Sequence, residues 1–314
     1  MVRVTATIVQ RVSIPATLAL PPGAATMAIA VDRGRIATLR HPGADTSAGP
    51  AAGRVLLVPG FTGSKEDFLT MLEPLALAGY DVAAIDQLGQ HESQVAADCA
   101  AAWGEDDAAA AELLASELHQ VSLALWPRGP RPHVVAHSMG GLIARRAAIA
   151  DPDFLSSLIL LGSGPAAIPQ HQRPPLELLR QLLPDVDLAD IWQAKRLLDA
   201  QSGAVEPAAE IQAFLERRWL ANSPHGLRAK AGILLAEPDL TDELRASSVP
   251  VSVMFGTDDD VWWPQLQREM AAGLGVGVEV FDGAGHSPNT ECPAEVVAAL
   301  TATWQDLATH RTWV

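Results

Sequence analysis

Ser138 stands between two small residues, Ala136 and Gly140, where an apolar run gives way to a helical pattern. A serine hydroxyl in that setting is a candidate nucleophile. Residues 133–136 read as a short buried strand, and beyond Gly140 the side chains of Leu142, Ile143, Ala147 and Ile149 recur near helical spacing. The serine therefore falls on a strand-to-helix turn. Such a turn forces its central residue into strained backbone angles and holds the hydroxyl above the sheet edge, within reach of a base. The pattern is G-x-S-x-G, with Gly140 in place and Ala136 one methyl group larger than the first glycine.

Two other stretches carry chemistry at the end of an apolar run. Gly256, Thr257, Asp258, Asp259 and Asp260 follow the strand pattern of 251–255, and Gly285, His286, Ser287 and Pro288 follow that of 276–281. A serine hydroxyl is a poor nucleophile at neutral pH. A positioned group titrating near 7 contributes about 10² to 10⁴ in rate by taking its proton, and histidine alone titrates there unperturbed. Of the three consecutive carboxylates, only one can face an imidazole.

The elements that must position these groups are legible in outline. The chain has 314 residues, 48% of them hydrophobic, enough for a substantial core. Its formal net charge of −15 excludes the basic footprint that nucleic acid or an anionic membrane surface would need. Cys99 and Cys292 stand far apart, with no CxxC spacing and no histidine cluster, so neither a disulfide framework nor a zinc site is expected, and no metal or cofactor. The N-terminus alternates Arg3, Thr5 and Thr7 with Val2, Val4 and Ala6, without the apolar run of a secretory signal. No stretch is long and apolar enough to span a bilayer. The expectation is a cytoplasmic protein acting on a small molecule.

In chain order, 28–31 and 35–39 read as an antiparallel pair around Asp32-Arg33-Gly34, and the stretch before Pro21 is a weak candidate strand. A strand at 54–58 leads to Pro59-Gly60-Phe61-Thr62-Gly63-Ser64. A helix is expected from Ser64, capped with the help of Asp67 and carrying Phe68, Met71, Leu72 and Leu75 on one face. A strand at 81–85 and a polar loop at 86–93 follow, then a long helix over about 105–126. Alternation of strand and helix implies right-handed crossovers and a mostly parallel sheet, with ligands beyond the carboxyl ends of its strands. From 165 to 245 only helical patterns appear, with Ile211, Phe214, Leu215 and Trp219 sharing a face. That block reads as an all-helical cap inserted into a core of 1–164 and 246–314. The sheet rhythm returns at 251.

The order nucleophile, acid, base, each on a loop after a strand, resembles the α/β-hydrolase superfamily over nearly the whole chain. Pro59-Gly60-Phe61 resembles its oxyanion-loop HGF, and 86–93 resembles its D-x-x-G-x-G-x-S loop, with Pro59 at the histidine position and His91 near a glycine position. The resemblance implies that Ser138 attacks, His286 transfers the proton, and Asp259, three residues after Gly256, orients the imidazole. It also implies oxyanion donors at the backbone N–H groups of Phe61 and Met139. His137 adjoins the elbow, where the family often has a histidine. His41, His119, His133, His171, His225 and His310 fall in loops or helical patterns. Trp262 and Trp263 follow the acid loop and are candidates for lining the pocket.

The expected activity is that of a serine hydrolase, carboxylesterase-like, acting on a small to medium, rather apolar ester or related acyl compound. Carbon–carbon bond hydrolysis, aminopeptidase action and perhydrolysis fit the same triad, and a ligand-binding receptor of low turnover fits the same fold. An aminopeptidase would need acidic groups at the pocket, for which Glu177, Asp187 and Glu206 are the candidates in the cap.

Overall fold

A computed structural model of the chain describes residues 13–43, 52–97, 103, 106–202 and 205–311. Cys99, Glu105 and the alternating residues 2–7 lie outside that set. The apolar runs pair into a single nine-stranded sheet. β1 (Ala25–Val31) and β2 (Gly34–His41) form the antiparallel hairpin, with Val31 opposite Gly34. They are followed by β3 (Gly53–Val58), β4 (Tyr80–Ile85), the two-residue β5 (Gln94–Val95), β6 (His133–His137), β7 (Ser157–Leu161), β8 (Val251–Gly256) and β9 (Val278–Phe281). Across the sheet the order is β1, β2, β4, β3, β6, β7, β8, β9, with β5 on β2. Every pairing from β4 to β9 is parallel.

The helices are α1 (Leu69–Leu77), α2 (Asp107–Leu125) and α3 (Met139–Ala150), then α4 (Arg173–Leu182), α5 (Leu188–Ser202), α6 (Ala209–Leu220), α7 (Pro224–Ala236) and α8 (Thr241–Ala246) between β7 and β8, and finally α9 (Pro264–Leu274), α10 (Pro288–Glu291) and α11 (Pro293–Arg311). Strand residues alternate between the two faces of the sheet. Leu56, Val58, Val134 and Ala136 pack with Leu114, Leu118, Ile143 and Met270 of α2, α3 and α9. Val55, Leu57 and Val135 pack with Met71, Leu72, Val296 and Leu300 of α1 and α11. Because β4 and β6 flank β3 on opposite sides, the strand order reverses at β3. A crevice opens beyond the carboxyl ends of β3 and β6 at such a reversal.

Two expectations are corrected. The first turn after Ser64 is a 3-10 turn over Lys65–Phe68, and α1 begins only at Leu69. The cause is local: the Ser64 N–H donates to Asp67 Oδ2 at 3.1 Å while the Asp67 N–H donates to the Ser64 carbonyl at 3.0 Å, which pinches the turn. The stretch before Pro21 is not a strand among its described residues. Pro15 within it, and Pro21 and Pro22 that close it, cannot donate to a ladder. The polar loop at 86–93 leads directly into β5, a strand of two residues and too short to show a period.

The inserted helices build a third apolar cluster on the carboxyl-end side of the sheet. Leu176, Leu179, Ile191, Trp192, Phe214 and Trp219 meet Phe61, Met139, Leu142 and Trp262 of the core. α7 spans both layers, since its Leu227 and Leu234 join this cluster while Ala229 and Ile233 join the one beneath α2. Leu244 of α8 belongs wholly to the latter. A buried charge cluster fastens the block to α3: Glu237 accepts from Arg146 Nε at 2.9 Å and from Arg145 Nη2 at 3.3 Å. Removing one partner of a buried ion pair leaves the other charge uncompensated, at a cost of about 3 to 5 kcal/mol. Glu237→Ala is therefore expected to lower the unfolding free energy by about that amount. Urea denaturation measures it, and a loss under about 1 kcal/mol would mean that solvent already screens the pair.

Candidate active site

Ser138 occupies the single residue between β6 and α3, with φ 54° and ψ −125°. Its N–H continues the strand ladder to the Leu161 carbonyl at 2.9 Å, and its carbonyl already accepts from Gly141 N at 2.9 Å. A strand bond on one side and a helix bond on the other leave the serine no ordinary conformation. The small neighbours have distinct reasons. A Cβ at Gly140 would come within 2.6 Å of the Pro59 carbonyl oxygen, so no larger residue fits. Ala136 is buried inside β6 between Val58 and Leu160, and there the extra methyl group packs into the core beneath α2 and α3.

His286, in the turn after β9, brings its Nε2 to 2.9 Å from Ser138 Oγ and its Nδ1 to 3.0 Å from Asp259 Oδ1. All three side chains are buried. With Nδ1–H donated to the carboxylate, Nε2 is left as acceptor for the serine hydroxyl. Asp258 is exposed and Asp260 only half-buried, so Asp259 alone of the three consecutive carboxylates meets the imidazole. Asp259 Oδ1 also accepts from Val261 N at 2.9 Å, and its Oδ2 from Gln267 Nε2 at 2.8 Å.

Gly60 presses on the serine: a Cβ there would lie 2.8 Å from Ser138 Cβ and 3.3 Å from Oγ. Phe61 follows Gly60 in that loop, and Met139, the first residue of α3, follows the serine. No other described residue accepts from either amide. The loop has no histidine to anchor it, and two buried glutamines hold it instead. Gln87 Nε2 donates to the Pro59 carbonyl at 2.7 Å and Gln90 Nε2 to the Gly60 carbonyl at 2.8 Å. Gln90 Oε1 in turn accepts from Gln87 N at 3.0 Å. His91, near the glycine position of that loop, has φ 40°, which explains a preference for glycine there.

His137 is buried beside the site, and its Nε2–H donates to the His286 carbonyl at 2.8 Å. Burial, reinforced by the His286 imidazole, pushes it down to about 3, so its ring stays neutral. Trp262 is buried, 6.1 Å from the His286 ring, and its edge fills the space that a Cβ at Gly164 would need. Trp263 is a correction: it is 52% exposed and stacks on His171 at the surface. Val261 and Trp262 take the inward positions, and Trp263, which precedes α9, faces out. A cavity of about 800 Å³ opens elsewhere, between α4 and α7, lined by Arg173, Arg180, His225 and Arg228 but by none of the residues above. Glu66, His91 and Glu92 converge near the loop after β4, where Lys65 Nζ sits 2.8 Å from each glutamate and supplies the positive charge.

Gln87, Gln90 and Gln267 escape sequence reading. The first two occupy the variable positions of their motif, and the third lies on a helix whose spacing announces no partner. His137 alone carried a signal, its place next to the serine.

Residues 55–300 match the alpha/beta hydrolase family. The chain belongs to that family. It is a hydrolase. The pimeloyl-[acyl-carrier protein] methyl ester esterase of Vibrio cholerae is 29% identical over 189 residues, which is 57% of this chain and 72% of that protein. The 2-hydroxy-6-oxononadienedioate/2-hydroxy-6-oxononatrienedioate hydrolase of Paraburkholderia xenovorans is 27% identical over 235 residues, 70% of this chain and 74% of that one. An esterase from Exiguobacterium antarcticum shares the fold, with a TM-score of 0.69 at 21% identity over 90% of this chain and 100% of the other. Among the described residues of this hydrolase, no helix is long and apolar enough to cross a membrane.

Two outcomes follow from the geometry of the hydrolase. A serine held at positive φ stores about 1 to 3 kcal/mol. Ser138→Gly should therefore unfold at higher denaturant than Ser138→Ala, by about 1 kcal/mol, and equal midpoints would mean that the turn is unstrained. His137 ordinarily titrates near 6.5 when unfolded, so its depressed folded value makes the unfolded chain the better proton acceptor. Its contribution is intact above about 6.5 and is lost as pH falls toward 3. His137→Gln should show a loss of unfolding free energy between pH 6 and 4 that is shallower by about 1.4 kcal/mol per pH unit. Equal slopes in both proteins would mean that the folded imidazole takes up the proton.

Proposed function

We propose that this hydrolase cleaves small to medium, rather apolar esters or related acyl compounds through a covalent acyl-enzyme on Ser138. The observation that carries the reading is the unbroken line of contacts from Ser138 Oγ through His286 to Asp259, 2.9 and 3.0 Å long. His286 Nε2 takes the hydroxyl proton as Oγ attacks the carbonyl carbon. The oxygen that gains the negative charge lies against the Phe61 and Met139 amides, neither of which has another partner to give up. Collapse of the adduct expels the alkoxide, which takes its proton from His286. A water molecule then attacks the acyl carbon, with the neutral imidazole again as base, and the acid leaves. Asp259 holds the tautomer that makes Nε2 the acceptor and stabilises the imidazolium formed twice per turnover.

Preference for apolar acyl groups rests on the third cluster. The helical block, residues 165–245, acts as a cap that brings Leu176, Trp192, Phe214 and Trp219 into the layer containing Phe61, Met139 and Trp262. An aminopeptidase pocket lacks support, because Glu177 pairs with Arg173, Glu206 pairs with Arg196, and Asp187 is exposed at the start of α5.

The test is a graded series of p-nitrophenyl acyl esters together with an organophosphonate label. Wild-type protein should take up one label at Ser138 and turn over the esters, and Asp259→Asn should lose about 10⁴ in kcat by admitting the wrong tautomer. Absence of both label and turnover would end the reading.

A further inference from the structure

One buried guanidinium joins parts of the chain that the proposed mechanism requires to be in register. Arg218 lies on α6, its side chain 2% exposed. Its Nη1 donates to Asp67 Oδ1 at 2.6 Å and to Ser64 Oγ at 3.4 Å, and its Nη2 donates to the Ser13 carbonyl at 2.8 Å. Ser64 and Asp67 begin the 3-10 turn that continues the loop carrying Gly60 and Phe61. Ser13 reaches the other side of the site: its Oγ lies 2.8 Å from Ser287 Oγ, on the residue that follows His286. Asn289, two residues further on, donates from Nδ2 to the Asp67 carbonyl at 3.2 Å. Phe214, one turn earlier on α6, lies 5.3 Å below the guanidinium and edge-on to His91. The N-terminal segment is itself part of the cover, with Pro15 buried and Leu18 packed on the third cluster.

None of these groups touches Ser138 Oγ or the His286 ring, so the cluster can act only through the loops it joins. A planar guanidinium donates in fixed directions to several acceptors at once, which a lysine ammonium cannot reproduce. Burial means that no water stands ready to replace a lost contact.

We propose, resting on the serine hydrolase reading, that Arg218 is a positioning residue. By tying Asp67 to Ser13 it sets the separation between the Gly60–Phe61 loop and the His286 turn, so that Ser138 becomes fully reactive only when the inserted helices are seated. The Glu237 cluster is the natural contrast. It fastens the same block to α3 but touches neither loop.

The experiment compares second-order labelling of Ser138 by a small fluorophosphonate in wild type, Arg218→Gln, Arg218→Lys, Ser13→Ala and Glu237→Ala, each rate normalised to the folded fraction from circular dichroism. Misplacing reacting groups by about 1 Å costs about a hundredfold in rate, so Arg218→Gln should label about ten to a hundred times more slowly, with the loss on esters in kcat rather than KM. Arg218→Lys should fall between it and wild type. Ser13→Ala, which removes the single neutral hydrogen bond to Ser287, should lose about fivefold. Glu237→Ala should be less stable and label at the wild-type rate. Wild-type rates in Arg218→Gln and Ser13→Ala, or an equal slowing in Glu237→Ala, would overturn the positioning role. If Arg218→Gln does not fold, Ser13→Ala against Glu237→Ala decides by the same rate. A wild-type protein that takes up no label would overturn the hydrolase reading itself, which separates the two failures.

Discussion

The close approach of two backbones, Pro59–Gly60 after β3 and Ser138–Gly140 after β6, is the constraint on which the site depends. A Cβ at Gly60 would collide with Ser138, and one at Gly140 with the carbonyl of Pro59. Neither contact could form unless β3 and β6 were neighbours in register, as the pairing of Val58 with Ala136 makes them. The reversal of strand order at β3 creates the crevice, and the absence of side chains at two points lets the two loops close on it. Strain at Ser138 is then a consequence of position, because a ladder bond to Leu161 and a helix bond from Gly141 leave no relaxed alternative.

The block of helices between β7 and β8 is bonded to the core more than loosely laid against it. Leu and Trp side chains supply its apolar underside, and buried ion pairs fix it at two places, Arg218 with Asp67 and Glu237 with Arg145 and Arg146. Buried pairs of this kind add little net stability over apolar packing, yet they fix which groups meet. In a chain of net charge −15, those arginines lie inside the fold, where each has a carboxylate.

Much of this could be read from residue order, and the reason differs by part. Parallel strands buried on both faces leave short apolar runs, and the hairpin turn Asp32-Arg33-Gly34 leaves a composition signal, so β1 to β4, β6, β8 and β9 were legible to within a few residues. Ser138 and His286 stood out because each follows a strand and sits among small residues. Asp259 needed the family's spacing, since three adjacent aspartates are indistinguishable by composition. What remained hidden is the polar scaffold. Gln87 and Gln90 hold a loop about thirty residues earlier in the chain, Gln267 steadies Asp259 from a helix, and Arg218 reaches Ser13 across about two hundred residues. Such contacts have no period and no local signature. The surface position of Trp263 was equally invisible, because inward and outward turns of a loop leave no alternation to read.

Ala136 separates two demands that the glycines of an elbow motif usually satisfy together. Its backbone is ordinary extended strand, paired on both sides, so this position limits volume and places no requirement on torsion angles. An alanine there narrows the conformations open to the denatured chain, an effect that elsewhere favours the fold by about 0.4 to 1 kcal/mol. The substitution that looks like an erosion of the motif is thus a small entropic contribution to keeping the elbow folded, made at the one flanking site where a methyl group could be admitted.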